Sequence, residues 1–321
     1  MNKKTIVIYQ YFEKDHTYVE NFFHLLRFGY SELNDYLLII TGNYTIELPQ
    51  YQNISYVFIE NKNYDYGGYA WAIKNVVKIE QYDFFIFINS SVRGPYIPSY
   101  LSENWTECFT KLLINDVGLS GSVINILPEK SSLTKFYKNK FGGSEPFSHI
   151  ESMVYAMPRE VILYLIKNKF YDIIHTLTKD EAIRDYEIRL SQLILAGGWN
   201  MKCILPEYNV IDYRGAHHEV NPTSTNGDPV WNFSYFGRTP HPFELIFIKS
   251  ARSLFTQSYL DRLAYSAMCN SLAPKFLENN PSYMKYVDSL NSSASSEGEV
   301  RFVPPKSMIR FVPKPLRPFF Q

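Results

Sequence analysis

The sequence predicts an α/β fold in which a mostly parallel central sheet is flanked by helices and followed by a C-terminal helical and extended extension. Over the first ninety residues, short apolar runs typical of buried strands alternate with segments of helical periodicity. The fourth run, residues 84–88, is apolar throughout and changes at once to the polar sequence Asn-Ser-Ser at Asn89. Polar residues at the carboxyl end of a buried strand mark the edge at which open α/β sheets bind ligands.

The predicted elements alternate along the chain. Strands are predicted at residues 5–9, 36–40, 54–59, 84–88, 117–124 and 150–156. Helices are predicted at residues 18–28, 67–79, 99–113, 159–167, 179–196, 243–255 and 259–270. Gly197 and Gly198 give the 179–196 helix a natural end. Residues 127–148 and 205–243 are predicted as loops, and the length of the second indicates a functional loop or disorder.

Composition argues against several classes of protein. The formal net charge of the 321 residues is zero, which gives no indication of a nucleic-acid partner. The three cysteines, Cys108, Cys203 and Cys269, show neither metal-ligand spacing nor a disulfide framework, so we expect reduced thiols in a cytoplasmic protein. The N-terminal apolar run is too short for a signal peptide, and no segment approaches the roughly 20 apolar residues of a membrane span.

We expect four regions along the chain. Residues 1–255 are predicted to form the α/β domain, with a ligand-binding half at 1–125 and a second half at 126–255. Helices follow at 256–290, and residues 291–321 are predicted as a linker and a basic tail rich in Pro and Phe. The stretch 300–321 has five basic residues and no acidic one. This favours either peripheral contact with an anionic membrane or partner, or an end that packs on the body or is disordered.

The sequence around Asp65 is the first candidate site. It follows the third predicted strand and opens a helix. The Asp65 carboxylate can accept two hydrogen bonds, which suits a ribose diol or a base edge, and Gly67 lets a ligand approach the backbone. The helix N-terminus adds positive potential for a diphosphate. The alternative is that Asp65 is an N-cap and the glycines form a turn, and spacing does not separate the two.

The second candidate site runs from Asn89 to Arg93. The neutral oxygens of Asn and Ser side chains bind a divalent cation more weakly than carboxylates do. Arg93 can donate two hydrogen bonds to one phosphate, and a fixed cation stabilises a leaving phosphate group as a metal ion does. The alternative is a polar turn in which Asn89 and Ser91 satisfy backbone groups. We favour a functional role for this segment.

Two further groups are weaker candidates. Asp185 and Glu187 are two residues apart on a predicted helix, so their side chains point about 200° apart and at most one of them serves a single site. Solvated helix charges are the usual alternative. His217 and His218 lie in a loop without metal-ligand spacing, and contact with phosphate competes there with a loop-capping role.

Five segments together resemble a family of glycosyltransferases that occurs in bacterial polysaccharide loci, large DNA viruses and algae. The segments are Asn61…Asp65-x-Gly67, residues 85–95 with the sequence Asn-Ser-Ser-Val-Arg-Gly-Pro, Glu151-Ser152-Met153, residues 186–198, and His241-Pro242-Phe243-Glu244-x-x-Phe247-x-Lys249. They stand in order within residues 1–252, and the Asn-Ser-Ser-Val-Arg-Gly-Pro motif is the most specific of them. The resemblance implies a GT-A-like, Rossmann-like fold that joins a donor half to an acceptor half.

The resemblance also implies roles for single residues. Asp65 would contact a nucleoside, and Asn89 and Ser91 would stand where other GT-A enzymes carry a metal-binding Asp-x-Asp sequence. Inverting GT-A enzymes often place a catalytic Asp about eleven residues before a Gly-aromatic pair. Glu187 stands eleven residues before Gly198, which favours Glu187 over Asp185 as the base, although the residue is Glu rather than Asp.

We therefore expect a glycosyltransferase that moves a hexosyl or pentosyl group from a UDP- or GDP-linked sugar to a glycan hydroxyl, with inversion. The pathway would be polysaccharide or glycoprotein-glycan synthesis. The expected donor contacts are Tyr9, Tyr11, Asn61, Asp65, Gly67, Asn89, Ser90, Ser91 and Arg93. The expected acceptor or phosphate contacts are Glu151, His217 and His218, and the catalytic candidates are Glu187 and Asp185.

The requirement for a metal and the choice of function both stay open. No metal is required by the pattern, but Mn²⁺ or Mg²⁺ would be held by Asn89 and Ser91 if one binds. The missing Asp-x-Asp sequence also motivates an alternative function, a catalytically degenerate module that binds a glycan or a nucleotide. A nucleotidyltransferase on a similar sheet is a third alternative, and it would require a nucleoside triphosphate and a metal.

Overall fold

The structure, a computed structural model, describes residues 3–101, 103–268 and 271–295. The strands are β1 (Thr5–Phe12), β2 (Asn34–Thr41), β3 (Ile54–Ile59), β4 (Phe84–Asn89), β5 (Val92–Arg93), β6 (Val117–Gly121), β7 (Ile124–Asn125), β8 (His149–Ile150), β9 (Val154–Pro158), β10 (Asn200–Cys203) and β11 (Ile248–Lys249). The helices are α1 (His16–Gly29), α2 (Tyr64–Asn75), α3 (Trp105–Thr110), α4 (Ser132–Phe141), α5 (Arg159–Lys167), α6 (Lys179–Glu181), α7 (Arg189–Ala196), α8 (Pro242–Leu245), α9 (Gln257–Met268) and α10 (Pro281–Ser295). A π-helical segment, Ala182–Ile188, joins α6 to α7.

Seven strands form the central sheet, in the order β10-β6-β9-β4-β1-β2-β3. Neighbouring strands pair in parallel except at β9, which runs antiparallel to both β4 and β6. The central strands β1 and β4 are buried along almost their whole length, as expected of strands covered on both faces. The predicted α/β class, a mostly parallel sheet flanked by helices, is confirmed.

The direction of β9 brings a second set of residues to the ligand-binding edge. Val154, at the start of β9, pairs with Ile88, near the end of β4. Because β9 is antiparallel, the turn at 151–153 lies beside Asn89 and not at the far side of the sheet. The carboxyl ends of β1 to β4 and the turn before β9 therefore share one edge.

The two C-terminal helices belong to the same hydrophobic core as the sheet. Leu260 of α9 and Tyr286 and Leu290 of α10 are buried within it, and the Tyr286 hydroxyl lies 3.1 Å from His24 Nδ1 of α1. Because α10 continues to Ser295, the prediction of a linker from residue 291 is wrong for its first five residues. The rest of that linker and the 300–321 tail lie outside the described residues.

One predicted loop contains a helix. Residues 127–148 include α4, where Leu133, Tyr137 and Phe141 recur every fourth residue and pack into a small cluster with Phe147. The side chain of Ser131 accepts a hydrogen bond from the Leu133 amide and caps the start of the helix. The spacing and the cap were both present in the sequence.

Two predicted helices are shorter than expected. The helix predicted at 99–113 is reduced to α3, whose start is capped by Asn104. The helix predicted at 243–255 is mostly wrong, because α8 ends at Leu245 and Ile246 adopts a φ of 63° that leaves the helical path. The chain then forms β11, which pairs with β5 and sets Lys249 opposite Val92. Among the described helices, none combines the length and apolar character needed to cross a bilayer.

Candidate active site

Asn89 stands at the centre of the candidate site and joins its two sides. Its Nδ2 donates to Asp65 Oδ2 at 2.9 Å and to the Ser152 carbonyl at 3.3 Å. Its Oδ1 accepts from the amide and the hydroxyl of Ser91, at 3.1 and 2.5 Å. A backbone N–H can only donate, so the Ser91 amide fixes the orientation of the Asn89 amide group. Asn89 thus links the first turn of α2 to the turn before β9.

Glu187 enters the same site from the π-helical segment. Its Oε2 accepts a hydrogen bond from Ser152 Oγ at 2.7 Å, and its Oε1 lies 3.5 Å from His149 Nε2. About a sixth of the side chain remains exposed (17%). Segments of π-helix occur frequently at functional sites. The predicted base and the predicted nucleoside contact, Asp65, therefore share one site through Ser152 and Asn89.

The two carboxylates differ in their affinity for protons. Burial, and then the nearby charge of Glu187, raise the pKa of Asp65 to about 6. Burial alone would raise the pKa of Glu187 as well. The hydrogen bond and charge of His149, with help from Lys249, overcome this and hold the pKa of Glu187 below its ordinary value. Glu187 is therefore ionised at neutral pH, as a general base must be.

Replacing Asp65 with asparagine is expected to raise the melting temperature of the empty protein at pH 7 and to have little effect at pH 4. The pKa of Asp65 is about 6 in the folded protein, against about 3.9 for an unfolded aspartate. The folded state thus binds the proton more tightly, so the wild-type protein loses stability as pH rises from about 4 through about 6. Thermal denaturation from pH 4 to pH 8 measures this, and a difference independent of pH would contradict it.

Lys249 and Arg252 carry the positive charge near this site. Lys249 Nζ lies 2.8 Å from Glu151 Oε2, and Arg252 lies 3.1 Å from the other oxygen of Glu151 and 2.7 Å from Asp228. Burial would raise the pKa of Glu151, but the two cations hold it well below its usual range. Burial and the charge of Glu151 raise the pKa of Asp228 to about 7. Glu151, predicted to contact the acceptor or a phosphate, instead holds these two cations in place.

Lys249 is the cation whose charge acts on the carboxylates of the site. Its charge acts on Asp65 and on Glu187 as well as on Glu151. Burial would lower the pKa of Lys249, but Glu151 and Glu187 raise it, so the ammonium group stays charged. About a quarter of the side chain is exposed (23%).

Arg93 does not face the site, and its predicted role as a phosphate contact is wrong. The guanidinium is fully buried between Glu20 at 2.5 Å and Asp261 at 2.7 Å, and its Nε donates to Asn21 at 3.1 Å. These partners belong to α1 and α9. Arg93 therefore ties β5 to two helices, and its donors are not available to a ligand.

Tyr9, Tyr11 and Ser90 are structural as well. The rings of Tyr9 and Tyr11 pack on Phe22 of α1, with centroids 6.0 and 4.9 Å apart, and both side chains are buried. Ser90 Oγ hydrogen-bonds the amide and the carbonyl of Phe12. The predicted donor contacts of these three residues are not supported. The two tyrosine rings are closed to a ligand, and the Ser90 hydroxyl is used by the Phe12 backbone.

Gly67 and Asn61 lie on the approach to α2. A Cβ on Gly67 would come within 2.0 Å of the Lys62 carbonyl oxygen, so the glycine is required by the tight turn before the helix. Asn61 follows β3 and is exposed, where contact with a donor stays a prediction. Asp65 lies in the first turn of α2 and is not its N-cap, which is Asn63.

Asp185 and the two loop histidines lie away from Asn89. Asp185 is held by Lys140 at 2.7 Å and by Arg184 at 2.5 Å, on a different side of the π-helical segment from Glu187. The predicted divergence of Asp185 and Glu187 is confirmed. His217 Nε2 lies 2.7 Å from the hydroxyl of Ser148, and His218 is exposed. Neither histidine contacts the residues around Asn89.

The residues predicted as metal ligands do not fit a divalent cation. The Asn89 side-chain oxygen is used by both donors of Ser91, and the Asn89 nitrogen points at Asp65. A hard cation requires several free oxygens, and residues 89–91 contribute no carboxylate. In the part of the chain that the structure describes, no group of three or more His, Cys, Asp or Glu residues is placed to hold a metal ion.

Sequence reasoning missed four members of the site: His149, Ser152, Lys249 and Arg252. Ser152 and Lys249 did occur within the segments of the family resemblance, but nothing in their spacing indicated a role. Their place depends on two antiparallel pairings, β9 with β4 and β11 with β5. A periodicity pattern gives the existence of a strand but not its direction.

Comparison with known proteins finds similarity to solved structures alone. No protein-family model and no curated protein matches the sequence. Among solved structures, the chain is similar to the galactosyltransferase LgtC in complex with donor and acceptor sugar analogues, with a TM-score of 0.41 and 12% identity over 84% of this chain and 98% of LgtC. It is also similar to the glycosyltransferase GlyE of Streptococcus pneumoniae TIGR4, with a TM-score of 0.32 and 11% identity over 65% of this chain. The chain spans about half of GlyE (47%). Similarity at this level assigns this chain neither a family nor an activity.

Proposed function

We propose that the chain is a glycosyltransferase of the GT-A type, which moves a hexosyl or pentosyl group from a UDP- or GDP-linked sugar to a glycan hydroxyl. The observation that carries the proposal is the meeting of Glu187 with Asp65 and Asn89 at the carboxyl end of β4. These residues come from three of the segments that resemble the glycosyltransferase family. We place the reaction in the cytoplasm, in keeping with the widely separated cysteines, and in polysaccharide or glycoprotein-glycan synthesis.

In the proposed reaction, Glu187 is the general base. An acceptor hydroxyl gives its proton to the Glu187 carboxylate as its oxygen forms a bond to the anomeric carbon of the donor sugar. The bond between that carbon and the diphosphate breaks at the same time, so the configuration inverts and the nucleoside diphosphate leaves. Ser152 and His149 hold the two carboxylate oxygens and thereby fix the direction in which Glu187 meets the acceptor.

In this proposal, Lys249 stabilises the negative charge of the leaving diphosphate. A fixed ammonium group stabilises the charge that develops on the departing oxygen without any rearrangement of the site. Asp65, directed by Asn89, would accept hydrogen bonds from the ribose or the base of the donor. Because Asn89 and Ser91 do not fit a metal ion, no step is assigned to Mn²⁺ or Mg²⁺.

Titration calorimetry with a panel of UDP- and GDP-sugars, with and without Mn²⁺, tests the proposal. We expect at least one nucleotide sugar to bind, with an affinity that changes less than about threefold when the metal is omitted. Asp65→Ala should abolish this binding, because the ribose or base loses its acceptor. If every nucleotide sugar fails to bind, the chain is a glycan-binding module instead. A nucleoside triphosphate bound only with metal would indicate a nucleotidyltransferase.

A further inference from the structure

Two of the four tryptophans are exposed, and they differ in their surroundings. Trp105 is buried in the core, and the ring of Trp199 packs on Tyr164 at 5.1 Å. Trp71 and Trp231 expose 40% and 41% of their surface. Trp71 lies on α2, and among the described residues its indole has no hydrogen bond or cation–π contact, whereas that of Trp231 has both.

Trp231 is held rigidly in place by two contacts. Its indole Nε1 donates to Asp228 Oδ2 at 2.9 Å, which satisfies its polar atom. The guanidinium carbon of Arg252 lies 4.7 Å from the ring centroid, so Arg252 supports the ring by a cation–π contact. Arg252 is itself fixed by Asp228 at 2.7 Å and by Glu151 at 3.1 Å. A rigid ring loses little conformational entropy when a ligand packs on it.

A continuous set of contacts connects Trp231 to the proposed base. Arg252 touches both Trp231 and Glu151, and Glu151 pairs with Lys249 at 2.8 Å. Glu151 directly precedes Ser152, whose hydroxyl donates to Glu187 Oε2 at 2.7 Å. The exposed indole, which belongs to the long 205–243 segment, is therefore connected to Glu187 through Arg252, Glu151 and Ser152.

We propose that Trp231 is a stacking platform for a pyranose ring of the acceptor glycan. The C–H bonds of a pyranose form an apolar face that packs on an indole. Asp228 and Arg252 hold the ring in place for this contact. The assignment of the sugar as the acceptor rests on the proposed function, whereas the binding of a sugar by Trp231 does not.

The test follows the four indole N–H signals in proton–nitrogen NMR spectra during titration with methyl glucoside, methyl galactoside and methyl mannoside, all as pyranosides. Trp231→Phe and Trp71→Phe identify the two exposed tryptophans by the signals that they remove. We expect at least one pyranoside to shift the Trp231 signal and to leave the Trp71 signal in place. Sugars that bind no indole, or that shift Trp71 as much as Trp231, would overturn the inference.

Truncation variants then measure the contribution of the ring. Trp231→Ala is expected to weaken binding of that pyranoside about threefold to tenfold, the range that one aromatic contact provides. Trp231→Phe should recover part of the lost affinity, and Trp71→Ala, at an equally exposed position, should leave the affinity unchanged. Equal affinity of Trp231→Ala and wild type would overturn the inference, and melting temperatures show that each variant is folded. If the sugar binds at Trp231 but no nucleotide sugar binds the protein, the inference about Trp231 is supported and the proposed transferase activity is contradicted.

Discussion

Replacing Glu187 with glutamine is expected to lower kcat by about 10²- to 10⁴-fold, the usual contribution of a general base. Glutamine has the same shape and keeps an oxygen for the Ser152 hydroxyl, but it cannot take the proton of the acceptor. Binding of the donor, measured by calorimetry, should change less than about threefold, because the contacts of Asp65 and Asn89 are untouched. The loss should therefore be confined to kcat in an assay of sugar transfer.

Asp185→Asn is the matched control. Asp185 is an acidic residue two positions away, and its carboxylate binds Lys140 and Arg184 and not the site. We expect this variant to keep its kcat and to lose some stability. Full transfer activity of Glu187→Gln, or an equal loss in both variants, would contradict the role of Glu187. In the wild type the rate should fall on acidification only below the ordinary pKa range of glutamate, because His149 holds the pKa of Glu187 down.

Replacing Arg93 with methionine is expected to lower the free energy of unfolding by about 3–5 kcal/mol, the cost of breaking a buried ion pair from one side. Methionine fills most of the space but leaves Glu20 and Asp261 without the cation that binds them. Both carboxylates are almost completely buried, so water cannot replace the lost partner. Urea denaturation measures the loss.

Two comparisons separate this effect from a general effect of the substitution. Arg262→Met changes an exposed arginine next to Asp261 on α9 and should alter stability by less than about 0.5 kcal/mol. The triple variant Arg93→Met, Glu20→Gln, Asp261→Asn removes all three charges together and should be more stable than Arg93→Met alone. If the triple variant is less stable than Arg93→Met, the loss of stability comes from the change in side-chain volume and not from the unpaired carboxylates.

The sequence predicted the sheet well because its signal is local. The apolar runs at 5–9, 36–40 and 84–88 are explained by burial on two faces and became β1, β2 and β4, whereas the run at 54–59 became β3, a partly exposed strand at the edge of the sheet. Asp65 and Asn89 lie at element ends that this topology brings to one edge, and Glu187 joins them from the π-helical segment through Ser152. The resemblance to a glycosyltransferase family selected Glu187 over Asp185, which helical geometry alone had left open.

Arg93 shows why the remainder could not be predicted. A polar turn with an arginine after a buried strand indicates an anion site, and no local pattern shows that Glu20 and Asp261 lie close enough to use that arginine. Those partners are 73 and 168 residues away along the chain. Lys249 was missed for the same reason, because β11 reaches the site only through its pairing with β5. Long-range pairing decides which cation is structural and which one is available.

The π-helical segment at Ala182–Ile188 has a consequence for the origin of the site. Such a segment is what an α-helix becomes when one residue is inserted and the helix absorbs it by widening. Each residue advances an α-helix by about 100°, so a chain without the insertion would turn its carboxylate by that angle relative to the flanking turns. The contact of Glu187 with Ser152 thus depends on the wide turn of this segment, and an uninterrupted α-helix would point the side chain at 187 in another direction.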